Sequence, residues 1–209
     1  MTPRTAADYH AACVARARET FAAYTIVSRT DDKTRFLLKR DGKAQSYWVE
    51  VLVLAGGKLM VHGDIEHVLF AYYTDTRDPY DTIRWMGAHE TADSYATQKA
   101  EIGSGRALVY TTDDAVFCAD VDRPRAELTG DDDTTRASHK ARLRALDTMQ
   151  HRLKREGVPV RELIHEAYEA TTWDDYGEQL CSLGQVIDTR VYMAHAALNR
   201  LWTLLSAET

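Results

Sequence analysis

Residues 45–67 read QSYWVEVLVLAGGKLMVHGDIEH, and the order of side chains in this stretch decides how its neighbours must fold. Successive side chains of an extended strand point to opposite faces. Tyr47, Val49, Val51 and Val53 therefore share one face, while Trp48, Glu50, Leu52 and Leu54 share the other. Gly56-Gly57 supplies a turn and Lys58–Val61 returns as the next strand, the pattern of a β-hairpin. Both faces are apolar at the far end of Gln45–Ala55, which marks a central strand with a helix packed on at least one side. The exit of the hairpin then gathers His62, Asp64, Glu66 and His67.

Working outward from this hairpin, Tyr24–Arg29 and Arg35–Arg40 predict two more antiparallel strands, separated by Thr30-Asp31-Asp32 and by Asp41-Gly42, the latter a strong hairpin signal. Tyr9, Cys13, Ala17 and Phe21 recur every fourth residue within Thr5–Ala23, so an amphipathic helix precedes them. On the other side, His67–Tyr73 has the aromatic and β-branched character of a fifth strand or a short buried helix, and the strand is the reading preferred. Asp78-Pro79 supplies an N-cap and first position for a helix through Met86, closed near Gly87. A second helix is expected over Ala92–Ile102 and a short one over Thr112–Asp120. The segment Asp122–Asp133 holds Pro124, Gly130 and three consecutive aspartates and reads as a linker.

Beyond the linker the periodicity is helical: Thr134–Glu156, Val160–Ala170, Trp173–Leu183 and Gln185–Leu205. The last repeats Ile187, Val191, Ala194, Leu198, Leu201 and Leu205 as a heptad seam under three heptads long, which packs inside the chain or forms a homodimer. These elements define an α+β protein with an N-terminal helix, an antiparallel sheet of four or five strands and a mainly helical C-terminal half. Residues 1–121 are expected to form the sheet domain, 122–133 an acidic linker, and 134–209 a helical region packed on or beside the sheet.

With 209 residues, 44% of them apolar, the chain has ample material for a core. Its wholly apolar runs, such as Val51–Ala55, are far short of the roughly 20 residues of a membrane span, and the N-terminus has no apolar signal region. The expectation is a cytoplasmic protein without a membrane partner. Cys13, Cys118 and Cys181 lie far apart, which fits buried thiols in a reducing compartment. A net charge of −6 weighs against nucleic acid as the main partner. The charge is segregated, however: Thr134–Arg155 holds seven basic residues against one acidic, and Gly63–Tyr95 two against seven.

Several groups could carry chemistry. His62, Asp64 and His67 form a nitrogen and oxygen set of the kind that holds a metal ion, with Glu66 as a base; the alternative is a turn in which Asp64 accepts backbone N–H bonds. No other cofactor is expected. Gly103-Ser104-Gly105 precedes a strand and lacks a Lys-Ser or Lys-Thr pair, so it reads as a helix stop and turn. Asp113-Asp114 and Asp174-Asp175 sit early in predicted helices, where capping explains them. Arg136, Lys140, Arg144, His151 and Arg155 make a basic stripe suited to phosphates or to an acidic protein surface, or simply a solvated face. Asp75, Asp78, Asp81, Trp85 and Glu90 form an acidic, aromatic-bearing segment suited to a basic groove on another protein.

Tyr47-Trp48, Gly57-Lys58-Leu59-Met60-Val61, Gly63-Asp64 and Phe70 together resemble a group of uncharacterised bacteriophage and prophage proteins with a GHLxxxGDxxxxxF segment. Asp93, Tyr95 and Lys99 are similar to its following YWAEK element, and Trp173-Asp174-Asp175-Tyr176 with Leu180-Cys181 to its ending. Lys58 stands where the group often has His, and Ala96 where it has Trp. The resemblance implies phage origin and action in a bacterial cytosol rather than a particular reaction. The leading expectation is a phage-encoded accessory protein that binds a host or phage macromolecule to blunt a host defence. The alternatives are a metal-dependent hydrolase using His62, Asp64 and His67, and a nucleic-acid-binding protein using Arg136, Lys140, Arg144 and Arg155.

Overall fold

A computed structural model describes residues 4–40, 48–71, 78–89, 94–102, 110–121, 133–170 and 182–208. In chain order the described elements are α1 (Ala6–Phe21), β1 (Tyr24–Arg29), β2 (Arg35–Arg40), β3 (Trp48–Leu54), β4 (Lys58–Gly63), β5 (Glu66–Ala71), α2 (Pro79–Gly87), α3 (Ser94–Lys99), β6 (Ala100–Ile102), β7 (Tyr110–Thr112), α4 (Asp114–Asp120), α5 (Asp133–Glu156), α6 (Val160–Ala170), β8 (Gln185–Ile187) and α7 (Thr189–Ser206). They divide into two compact units, one of residues 1–10 and 111–186, the other of 11–110 and 187–209. The expected cut at 122–133 lies almost wholly outside the described residues. The grouping differs from the expected one: residues 1–10 and the stretch from Thr111 through α4 belong with α5 and α6, and α7 belongs with the sheet.

In the sheet unit, β1 to β6 lie side by side in sequence order, and every neighbouring pair is antiparallel. The fifth strand expected at His67–Tyr73 is β5. The sixth corrects the helix expected over Ala92–Ile102, which stops at Lys99. Ala100 and Ile102 are buried while Glu101 between them is not. That period of two is satisfied by pairing with β5 at the sheet edge, and tertiary pairing overrides a local helical tendency over so few residues.

One face of the sheet is apolar core: Phe36, Leu38, Val51, Leu59, Val61 and Phe70 are fully buried. Helix α7 packs against α2, β1, β4 and β5. Its seam of Val191, Ala194, Leu198, Leu201 and Leu205 is buried within this unit, so it is used inside the chain and not offered to a second copy. The helix begins at Thr189, not Gln185, because Asp188 is its N-cap and accepts from the Arg190 N–H at 2.8 Å, while Gln185–Ile187 pairs with β7 as a separate two-stranded sheet.

Helix α2 starts as its sequence predicts, with the Asp78 carboxylate accepting from the Tyr80 N–H at 2.9 Å and Pro79 in the first turn. At its other end Gly87 permits close contact with α7: a Cβ there would stand 2.6 Å from the Leu198 carbonyl oxygen and 2.8 Å from Trp202 Cβ. Asn199 Nδ2 donates to the carbonyls of Gly87 at 3.0 Å and His89 at 3.2 Å. Those are end-of-helix acceptors that have no partner within α2 itself.

The other unit is built on Phe117, Val121, Leu146, Met149, Leu153, Val160 and Leu163. Helices α5 and α6 stand where the 3.6-residue period puts them. Asp113 is the N-cap of α4, accepting from the Ala115 and Val116 N–H groups at 3.0 and 2.9 Å and from Arg4 Nη2 at 2.5 Å. Burial works against its charge, but the Arg4 guanidinium and those two amides outweigh it and hold the carboxyl below its ordinary value. Gly103–Gly105, Trp173–Tyr176 and Cys181 lie outside the described residues; Cys118 is buried and Cys13 half-buried. Among the described residues no helix is long and apolar enough to cross a membrane.

Candidate functional site on the second face of the sheet

The face of the sheet opposite the apolar core carries the groups with chemistry, and strand register places them. Leu37 pairs with Glu50, Glu50 with His62, and His62 with His67, which makes one row across β2 to β5. Beside it runs a second row of Arg35, Leu52, Met60, Leu69 and Glu101. Glu50 sits in the first row, only 6% exposed. Arg35 Nε, from the neighbouring row, donates to Glu50 Oε1, and His62 Nε2 lies 2.7 Å from Glu50 Oε2. A carboxylate only accepts, so the proton of that second bond is carried on Nε2 of the imidazole. Both oxygens of a buried carboxylate are thereby partnered, the condition under which a buried charge is tolerated. The Trp48 and His62 rings meet edge to face with centroids 5.6 Å apart, a favoured aromatic geometry.

The hairpin exit resolves as a turn. The Asp64 carboxylate accepts from the Trp48 N–H at 2.6 Å, and its own N–H donates to the Trp48 carbonyl at 3.2 Å. Gly63 holds φ +135°, and a Cβ there would collide with that same Trp48 carbonyl oxygen, so glycine is required. His62, Asp64 and His67 therefore do not form the expected metal set: the backbone of Trp48 claims Asp64, and Glu50 claims Nε2 of His62. Among the described residues no three His, Cys, Asp or Glu side chains are placed to share an ion. Glu66 is not poised as a base either, since it accepts from Arg190 Nη1 at 2.6 Å. Arg190 is tied chiefly to Asp188 and then to Glu66, and these bonds raise its guanidinium pKa further.

Sequence reasoning missed Glu50 and Arg35. The signal for Glu50 was present, a single carboxylate inside a strand apolar on both faces, but its partners depend on register between strands.

The remaining expected residues are dispersed. Asp75 and Glu90 lie outside the described residues, Asp78 is a helix cap, Asp81 is exposed in the first turn of α2, and Trp85 is half-buried on the same helix. On α5, Lys140, Arg144, His151 and Arg155 are exposed. At about 100° per residue they cluster within roughly 40° of the line opposite Leu146, Met149 and Leu153. Arg136 belongs to the same helix. Arg152, toward the side of the helix, is paired with Glu156 at 3.1 Å and with Glu166 of α6; Lys140, Arg144 and Arg155 have no ion pair among the described residues. Comparison of the chain with protein-family models, curated proteins and solved structures finds no match.

Proposed function

We propose that this protein works by binding another macromolecule: a phage-encoded accessory protein whose partner is a host or phage protein, with interference in a host defence as the outcome. One observation carries the binding reading. On the second face of the sheet the acid–base groups Glu50, Arg35, His62 and Asp64 are bonded to one another or to backbone, while Leu37, Leu52, Leu54, Met60 and Leu69 stay half-buried around them and Trp48 is 38% exposed. An apolar and aromatic centre with a charged rim is the usual anatomy of a protein interface, and Trp is prominent among the side chains that dominate binding energy. Lys39, the cross-strand partner of Trp48, and Lys58 have no ion pair among the described residues, so the rim suits carboxylates on the partner.

The test is capture from bacterial lysate by the full chain and by a Trp48→Asp variant, followed by affinity measurement on whatever protein is retained. A Trp that serves as a hot spot is worth about 2 kcal/mol or more, so the variant should bind at least about 30-fold more weakly. No capture at micromolar concentration, or capture indifferent to Trp48→Asp, overturns the reading.

Lys140, Arg144 and Arg155 of α5, which have no ion pair among the described residues, support a second reading, attachment to nucleic-acid phosphates. Substituting Lys140 and Arg144 by Ala should then weaken a gel-shifted complex equally across sequences and flatten its dependence on salt, by about one unit of log–log slope per lost phosphate contact. Affinity insensitive to salt removes that reading.

A further inference from the structure

The imidazole pair of the second face has a use that neither docking reading absorbs. We propose that His62 and His67 form a two-nitrogen site for a transition-metal ion of the zinc, nickel or copper class, with Glu50 as the outer carboxylate that orients His62. Three observations converge on it. His62 and His67 are directly opposed on β4 and β5, and cross-strand partners place their Cβ atoms about 4.5–5.5 Å apart on one face. That separation lets two imidazoles each reach an ion at about 2.0–2.1 Å. His62 donates Nε2–H to Glu50 on the β3 side, and the two nitrogens of an imidazole lie on opposite edges of the ring. Nδ1, the nitrogen that Glu50 does not occupy, keeps its lone pair for a ligand, and His67 stands exposed as the cross-strand partner on β5.

The third observation is Glu50 itself. Metal-bound histidines typically donate their other ring N–H to a carboxylate, which fixes the tautomer and raises the basicity of the ligating nitrogen. Glu50 is more than nine-tenths buried and already balanced by Arg35, so it is rigid and serves this role without taking up a coordination position. The site differs from the His62, Asp64 and His67 set in excluding Asp64, which the turn retains. Two protein nitrogens leave positions open for water or for a ligand brought by another molecule, and imidazole donors favour zinc, copper and nickel over magnesium or calcium.

Calorimetry with zinc and nickel on the tag-free full chain tests this, with electron paramagnetic resonance of the copper form to count bound nitrogens. Expected are one ion per chain, two imidazole nitrogens on copper, at least tenfold weaker binding in His67→Ala with one nitrogen lost, and no change in His151→Ala, whose imidazole is exposed in the other unit. Glu50→Gln should weaken binding roughly 10–100-fold; if that variant fails to fold, His67→Ala, at an exposed position, decides alone. No binding at millimolar free ion, undiminished affinity in His67→Ala, or unchanged affinity in a folded Glu50→Gln overturns the proposal. A docking partner lost in Trp48→Asp, together with no metal bound by the wild-type chain, would leave the protein-binding function standing while this site falls.

Discussion

The two faces of the six-stranded sheet are made by the same strands and held by different physics. On one, Phe36, Val51, Val61 and Phe70 are fully buried beneath helices, and stability comes from removing apolar area from water. On the other, a carboxylate is buried at only 6% exposure, and what surrounds it is a guanidinium, an imidazole and half-exposed aliphatic residues. Non-directional burial tolerates approximate fit, whereas a buried charge requires particular partners at particular positions. The first face is therefore the natural place for folding energy, and the second for contacts that depend on particular partners.

The contrast is sharpest where side chains are deleted. Phe70→Ala should lower the unfolding free energy by about 3–5 kcal/mol in urea denaturation, while Met60→Ala, half-buried on the opposite face, should cost under about 2 kcal/mol. Equal losses would erase the distinction between the faces. Gly87→Ala tests the close approach of α2 and α7 on the core side, and should cost about 1–3 kcal/mol through overpacking; a neutral result would mean that the helices part without penalty.

Glu50→Ala should cost about 1–3 kcal/mol by leaving its donors unpartnered, with only a minor share from Arg35, whose side chain is 59% exposed and whose charge water screens. Glu50→Leu should recover much of that loss, because replacing a buried ionic group by apolar volume is often neutral. A Glu50→Leu variant as unstable as Glu50→Ala would show that the network, and not the space it fills, holds this face.

The smallest effect belongs to the other unit. Asp113→Ala should cost about 1 kcal/mol at neutral pH as a lost helix cap. The carboxyl pKa is lower folded than its ordinary value of 3.8, so the unfolded chain takes up the proton first. The contribution is complete above that ordinary value and disappears as pH falls through the lower folded one. The gap between wild type and Asp113→Ala should thus be constant from neutral pH to about pH 5 and narrow below about pH 4. Narrowing near neutrality would contradict the Arg4 and amide contacts.

The amino-acid sequence by itself determined the elements whose cause is local. The alternation of Trp48–Leu54 and Lys58–Val61, the Asp78-Pro79 helix start, and the apolar period of Val160–Ala170 each reappear in the fold, since side-chain periodicity and capping act within a few residues. It also determined which residues share a face of β3. Tertiary structure alone decided that Ala100–Ile102 leaves a helix to become the sixth strand, that α7 joins the sheet unit, and that Glu50 meets Arg35 and His62 while Asp64 turns back to Trp48. Each of these depends on which strand lies beside which and in what register. Such pairings join residues 12 to 16 positions apart around Glu50 and Asp64, 30 to 34 for β5 with β6, and more than a hundred for α7 on α2, and they are set by the competition of whole faces for burial, which no short window of sequence contains.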